Sequence, residues 1–162
     1  MTNAENWTPP TVDEVNELWL RASEILNIEV SKLHNYIGIG ERAARRWRSQ
    51  ASAIDGNKSI IRYGYFALLV GIVEGRSILG FKAYNPELIE GLNLPTFSQY
   101  NPTVNYCELI GSLLRLSLSE FAKLIAVDYT TVYRASRAEV CPKWIYGLIC
   151  LAAGMSPRVL FK

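Results

Sequence analysis

The sequence predicts an all-α fold built from two copies of one helical pattern. Apolar residues recur at helical spacing along most of the chain, and no convincing run alternates apolar and polar as a half-buried strand would. An offset of 88 residues, which sets Leu113 beneath Ile25, lays the apolar register of residues 25–49 over that of residues 113–137. Each copy then continues into an aromatic-rich apolar helix, IIRYGYFALLVG from Ile60 and PKWIYGLICLAAG from Pro142.

The matched positions define the elements in order. Apolar pairs are Ile25/Leu113, Leu26/Leu114, Ile28/Leu116, Val30/Leu118, Leu33/Phe121, Tyr36/Leu124, Ile37/Ile125, Ile39/Val127 and Ala44/Val132. A first helix ends near Leu26 or Leu114. Glu29 or Ser117 follows as a candidate N-cap, whose side-chain oxygen accepts from the exposed amides of the next helix. That second helix has about two turns before IGIG (residues 37–40) or IAVD (residues 125–128) interrupts it. A third helix starts at once, with Asp128 a good N-cap and Gly40 a weaker one. The turn between them wants a left-handed residue, cheapest as glycine: Gly38 in the first copy, replaced by Ala126 in the second. Close crossing of the second and third helices wants a small residue, kept as Ala122 and replaced by His34.

Between the copies, residues 80–102 carry Pro86, Pro95 and Pro102, enough to end helices on either side. Residues 86–92 suit one short helix with proline in its first position. Phe81, Tyr84, Leu88, Ile89, Leu92, Leu94 and Phe97 make the stretch too apolar for a loose linker, so it is expected to pack between the copies. The organisation is then residues 11–79, a connector over 80–102, and residues 103–162.

Composition narrows the function. With 49% apolar and 20% charged residues the chain is of ordinary globular type, and a net charge of +2 says nothing for nucleic acid by itself. Three cysteines without CxxC spacing and one histidine suggest neither a disulfide framework nor a metal centre. Buried thiols in a reducing cytoplasm are the expectation. The N-terminus is unlike a signal peptide, and the runs YFALLVGIV and WIYGLICLAAGM fall short of the roughly 20 residues that span a bilayer. No cofactor motif is present: there is no phosphate-binding glycine loop, familiar His and Cys pairing or metal-ligand cluster.

The helix, tight turn, helix arrangement resembles the helix-turn-helix of the phage-repressor-like transcriptional regulators. LSLSEFAKLIAVDYTTVYRASR matches through Leu116, Ser117, Phe121, Ala122, Ile125, Val127, Asp128 and Val132. LNIEVSKLHNYIGIGERAARRWRS matches through Ile28, Leu33, Ile37, Gly38, Ile39, Ala44 and Trp47. The resemblance implies two tandem helix-turn-helix domains forming an internal pseudo-dimer, with the third helix of each copy entering the major groove of double-stranded DNA.

On that reading the first recognition face carries Glu41, Arg42, Arg45, Arg46 and Arg48. Arginine makes bidentate contacts to guanine and glutamate accepts from cytosine. Ala44 and Trp47 are expected in the core. The second face carries Tyr129, Thr130, Thr131, Tyr133, Arg134 and Arg137, whose methyls and hydroxyls suit thymine and phosphate. Ser31 and Ser119, at the starts of the second helices, are placed to meet phosphates, and Lys143 and Arg158 are candidate backbone contacts. The expected protein is a cytoplasmic transcriptional regulator, a repressor in preference, of the kind common on mobile elements. It works as a monomeric pseudo-dimer on an asymmetric site, with self-association through its apolar helices still open. No enzymatic activity and no cofactor are expected. The alternative is a helical adaptor or interaction module that keeps the fold without binding DNA.

Overall fold

The computed structural model describes residues 4–80 and 91–162, and these are mostly helical, with no strands among them. Helix α1 (Val12–Leu26) is started by Thr11, whose hydroxyl accepts the Glu14 amide at 3.1 Å while the Glu14 carboxylate takes the Thr11 amide. Val12, Val15, Trp19 and Ala22 form its buried stripe. The Trp19 indole donates to the Val30 carbonyl at 3.1 Å, tying α1 to the 3₁₀ turn Val30–Lys32 that leads into α2 (Leu33–Ile37). Helix α3 (Glu41–Trp47) follows, then α4 (Tyr63–Glu74).

The second copy runs through the 3₁₀ turn Tyr106–Glu108, α5 (Leu109–Ser112), α6 (Leu118–Ile125), α7 (Tyr129–Arg137) and α8 (Lys143–Ala152), with α9 (Pro157–Leu160) closing the chain. The 88-residue offset holds in the backbone. Left-handed residues stand at Asn27 and Arg115, both with φ 54°, and again at Gly38 (φ 86°) and Ala126 (φ 53°). Past each turn the same closing bond forms, from the Ile39 amide to His34 and from the Val127 amide to Ala122, both at 3.0 Å. The third helices start at Glu41 and Tyr129, matched residue for residue.

Three local expectations change. Glu29 sits at the N-cap position of the second helical segment but makes no capping bond; its carboxylate lies 3.8 Å from Lys32. Asp128 likewise caps no amide, because its carboxylate is drawn to Arg62 at 3.8 Å. His34, standing where a small residue was wanted, is half-buried with Nδ1 3.2 Å from the Ile39 carbonyl, so its ring supports the turn. Ser117 behaves as expected, forming a reciprocal capping box with Glu120.

The two apolar helices form the centre. α4 is buried from Ala67 to Val73 and α8 from Trp144 to Ala152, and they pack on each other. Glycines permit the close approach: a Cβ on Gly64 would lie 3.1 Å from Leu148 Cδ1, and one on Gly147 3.0 Å from Leu68 Cδ2. The core is continuous through both copies, so the expected divisions 11–79 and 103–162 mark sequence copies that share one interior.

Of the connector, Gly91 and Leu92 are helical, whereas the rest of the expected 86–92 helix lies outside the described residues, as do Phe81, Tyr84, Leu88 and Ile89. Phe97 is fully buried between Tyr36 of the first copy and Phe161 of the second, at ring distances of 5.4 and 5.0 Å. The Tyr146 hydroxyl donates to the Pro95 carbonyl. The connector around Pro95 and Phe97 therefore packs between the copies, whereas Leu92 is exposed. No helix among the described residues is long and apolar enough to cross a membrane.

Candidate nucleic-acid interface

Helix α3 divides by its own periodicity. Ala44 and Trp47 are buried, as expected, leaving Glu41, Arg42, Arg45 and Arg46 exposed. Glu41 and Arg45 are one turn apart and pair at 2.6 Å. The Glu41 carboxylate is thus engaged by its own helix, and as an exposed i,i+4 pair it adds only about 0.3–0.5 kcal/mol. Ser31 is brought to the same place: with Glu41 and Arg45 it lines a shallow groove of about 410 Å³ between α1, the second helical segment and α3.

Arg48 departs from the expected face. It follows the last turn of α3, half-buried, with Nε donating to Asn16 Oδ1 at 3.0 Å and its guanidinium 5.2 Å from the Trp19 ring. Burial lowers its pKa from the ordinary arginine value. Arg48 is a bracket between α3 and α1.

The second face is built differently. Val132 and Ala135 point inward; Tyr129, Thr130, Tyr133, Arg134 and Arg137 are exposed, and Thr131 is half-buried. Tyr129 and Tyr133 have ring centroids 5.9 Å apart, and the Arg137 guanidinium lies 5.3 Å from the Tyr133 ring. These three, spaced four residues apart, form one column along the helix. Arg134 and Thr130 form a second row beside it. Ser119 is exposed at the start of α6, ahead of this helix.

A cleft of about 480 Å³ opens beside α3, lined by the first copy and, from the second, by Trp144. Gly40, Ala43, Arg46 and Trp47 form one wall; Ile60, Arg62, Tyr65 and Trp144 form the other. Tyr65 sits 4.8 Å from both Trp47 and Trp144, giving the cleft an aromatic floor, and burial raises its pKa. Arg62 joins this site through its ion pair with Asp128, at the start of α7. No sequence pattern marked Arg62, a single cation at the entry to an apolar helix. Among the described residues no carboxylate lies within ion-pairing distance of Arg42, Arg46, Arg134 or Arg137.

Lys143 and Arg158 lie elsewhere. The Lys143 ammonium rests over the Tyr36 and Phe97 rings at 4.5 and 4.7 Å, half-buried between the copies, and burial lowers its pKa. The Arg158 guanidinium lies against Gly75, past the C-terminal end of α4 and so at the far end of that helix from Arg62 and Tyr65.

No protein-family model, curated protein or solved structure matches the chain.

Proposed function

We propose that this protein is a sequence-specific double-stranded DNA-binding regulator. Its two tandem helix-turn-helix domains form an internal pseudo-dimer of the phage-repressor-like type. The observation that carries this reading is the repeated short second helix, closed by a left-handed residue and followed at once by a third helix with exposed arginines. Arg42 and Arg46 supply base or phosphate contacts from α3, joined by Arg45 once DNA competes with Glu41. Thr130, Tyr133, Arg134 and Arg137 supply them from α7. Ser31 and Ser119 donate to phosphates beside their respective third helices. Arg62, in the cleft beside α3 and paired with Asp128 at the start of α7, neutralises a phosphate between the two contacted segments. Repression, by occupying a promoter, is the simplest outcome for a chain of this kind.

The test is selection of bound sequences from a random duplex pool, followed by titration of the selected site at several salt concentrations. The expected result is an enriched bipartite site with unlike halves. Its log K falls linearly with log salt, and the Arg42, Arg45 and Arg46 triple alanine variant lowers that slope. A folded triple variant that binds as tightly as the parent removes the basic face from the interface. A second reading, a protein-interaction module, is favoured by the exposure of Tyr129 (51%) and Tyr133 (40%), an aromatic surface suited to a protein partner. Absence of any salt-dependent duplex binding selects it.

A further inference from the structure

Two of the three cysteines meet. Cys107, in the 3₁₀ turn before α5, and Cys141, just past α7, place their sulfurs 3.1 Å apart. The sequence suggested no disulfide framework, and the cysteines lie 34 positions apart, so only the fold brings them together. Both side chains are buried, but unequally placed: Cys107 lines an open cleft of about 460 Å³ with Asn105, Glu108 and Ser136, while Cys141 is fully buried and does not line it. The segment is already held. Asn105 Nδ2 donates to the Ala138 carbonyl at 2.6 Å, and the Asn105 carboxamide oxygen accepts the Cys107 amide at 2.8 Å. Closing a disulfide asks the sulfurs to approach by only about 1 Å, to the usual 2.03–2.05 Å.

We propose that Cys107 and Cys141 form an oxidative modification site, converted by hydrogen peroxide to an intramolecular disulfide that staples the second helix-turn-helix copy. Cys107 gives up its proton and the thiolate attacks one peroxide oxygen: an S–O bond forms, the O–O bond breaks, and hydroxide leaves, taking that proton to become water and giving a sulfenic acid. The Cys141 sulfur then attacks the Cys107 sulfur, forming S–S and breaking S–O, and the hydroxide leaves as water with the Cys141 proton. Two thiols have lost two hydrogens and the peroxide is reduced to two waters. The division of roles follows from access and from charge. Cys107 faces the cleft and the neighbouring Cys141 thiol lowers its pKa, whereas Cys141 is shielded and its own pKa is raised. Cys150, fully buried in α8 and pushed up to about 12 by burial, stands outside the reaction.

The loop closed by the bond contains the whole of α6 and α7. This restricts the unfolded chain without reshaping the folded one, and it holds whether or not the protein binds DNA. The test treats the full chain with hydrogen peroxide, alkylates it in denaturant and maps its peptides. The expected product is monomeric and lighter by about 2 Da, with one alkylatable thiol, on Cys150, and a Cys107–Cys141 cross-link. Its Tm rises by up to about 10 °C and returns on reduction. Cys150→Ser keeps both effects; Cys107→Ser and Cys141→Ser lose both. If either of those variants fails to fold, the peptide map of the parent still decides. Three free thiols, added oxygen without a cross-link, a link through Cys150 or a cross-linked dimer overturns the proposal. A cystine that leaves Tm unchanged overturns the staple.

Discussion

Replacing Gly38 with alanine tests how the first turn is held, because two separate penalties meet at one atom. Gly38 has φ 86°, and an alanine in the left-handed region costs about 1–2 kcal/mol. Its Cβ would also stand 2.7 Å from Lys143 Cβ and 3.4 Å from Lys143 Cα, where backbone of the other copy leaves little room to move. Overpacking of this kind adds about 1–3 kcal/mol, and the loss of unfolded-state freedom returns about 0.4–1 kcal/mol. The net expectation is about 2–3 kcal/mol of destabilisation, the midpoint falling while the urea m-value stays constant. Ala126→Gly is the internal control at the matching position, φ 53°. Relief of the backbone strain exceeds the entropy added to the unfolded chain, so it should stabilise by about 0.5–1 kcal/mol. A Gly38→Ala variant within about 0.5 kcal/mol of the parent would refute both the turn geometry and the contact with Lys143.

Arg48→Ala should cost about 1–2 kcal/mol in urea unfolding, through the lost Asn16 bond and Trp19 contact, while leaving DNA affinity of the folded protein within about twofold; a large affinity loss at unchanged stability would return Arg48 to the DNA face. Ser117→Ala should cost about 1 kcal/mol by removing the capping box of α6. The backbone hydrogen bond from Ser117, and then its side-chain bond, hold the Glu120 carboxyl below the ordinary glutamate value. That contribution is present above the ordinary glutamate range and is lost as pH falls through the lowered value. An NMR titration in which Glu120 moves upward in Ser117→Ala checks it. Arg62→Gln should weaken binding similarly for all duplex sequences and reduce the salt slope by about one, whereas a change in sequence preference would make Arg62 a base contact.

What could be read in the sequence was what local spacing determines. The apolar register, the left-handed positions Gly38 and Ala126, and the burial of Ala44 and Trp47 all follow from helix period and backbone sterics within a few residues. Features that depend on another element were hidden. Arg48 closely follows Arg42 and Arg45 in the sequence, and only the position of Asn16 and Trp19 on α1 reveals that it turns inward. Lys143 read as a candidate backbone contact, and only the Tyr36 and Phe97 rings, from two other segments, hold it between the copies. Asp128 had the right chemistry for a cap and lost that role to Arg62. The candidate site was accordingly legible as two faces, but the cleft beside α3, with Arg62, Tyr65 and Trp144, was not.

The contacts between the copies explain how the two faces came to differ without losing their alignment. Gly38, in the turn before α3, rests on Lys143 and Trp144 at the start of α8, and Gly64, at the start of α4, rests on Ile125 at the end of α6. Each motif is thus seated on the last long helix of the other copy. A tilt of one motif would disturb the packing of both, so the spacing between α3 and α7 is set by the shared core and needs no contact between the helices themselves. In a dimer of identical chains, every substitution on a recognition helix appears twice. Here the Glu41 and Arg45 pair has its counterpart at Tyr129 and Tyr133, one pair charged and the other aromatic, on third helices that start at matching positions. On the DNA-binding reading, covalent linkage preserves the raised effective concentration of the second contact. The restraint removed is symmetry alone: each half-site preference can change independently while the scaffold that spaces the two helices stays fixed.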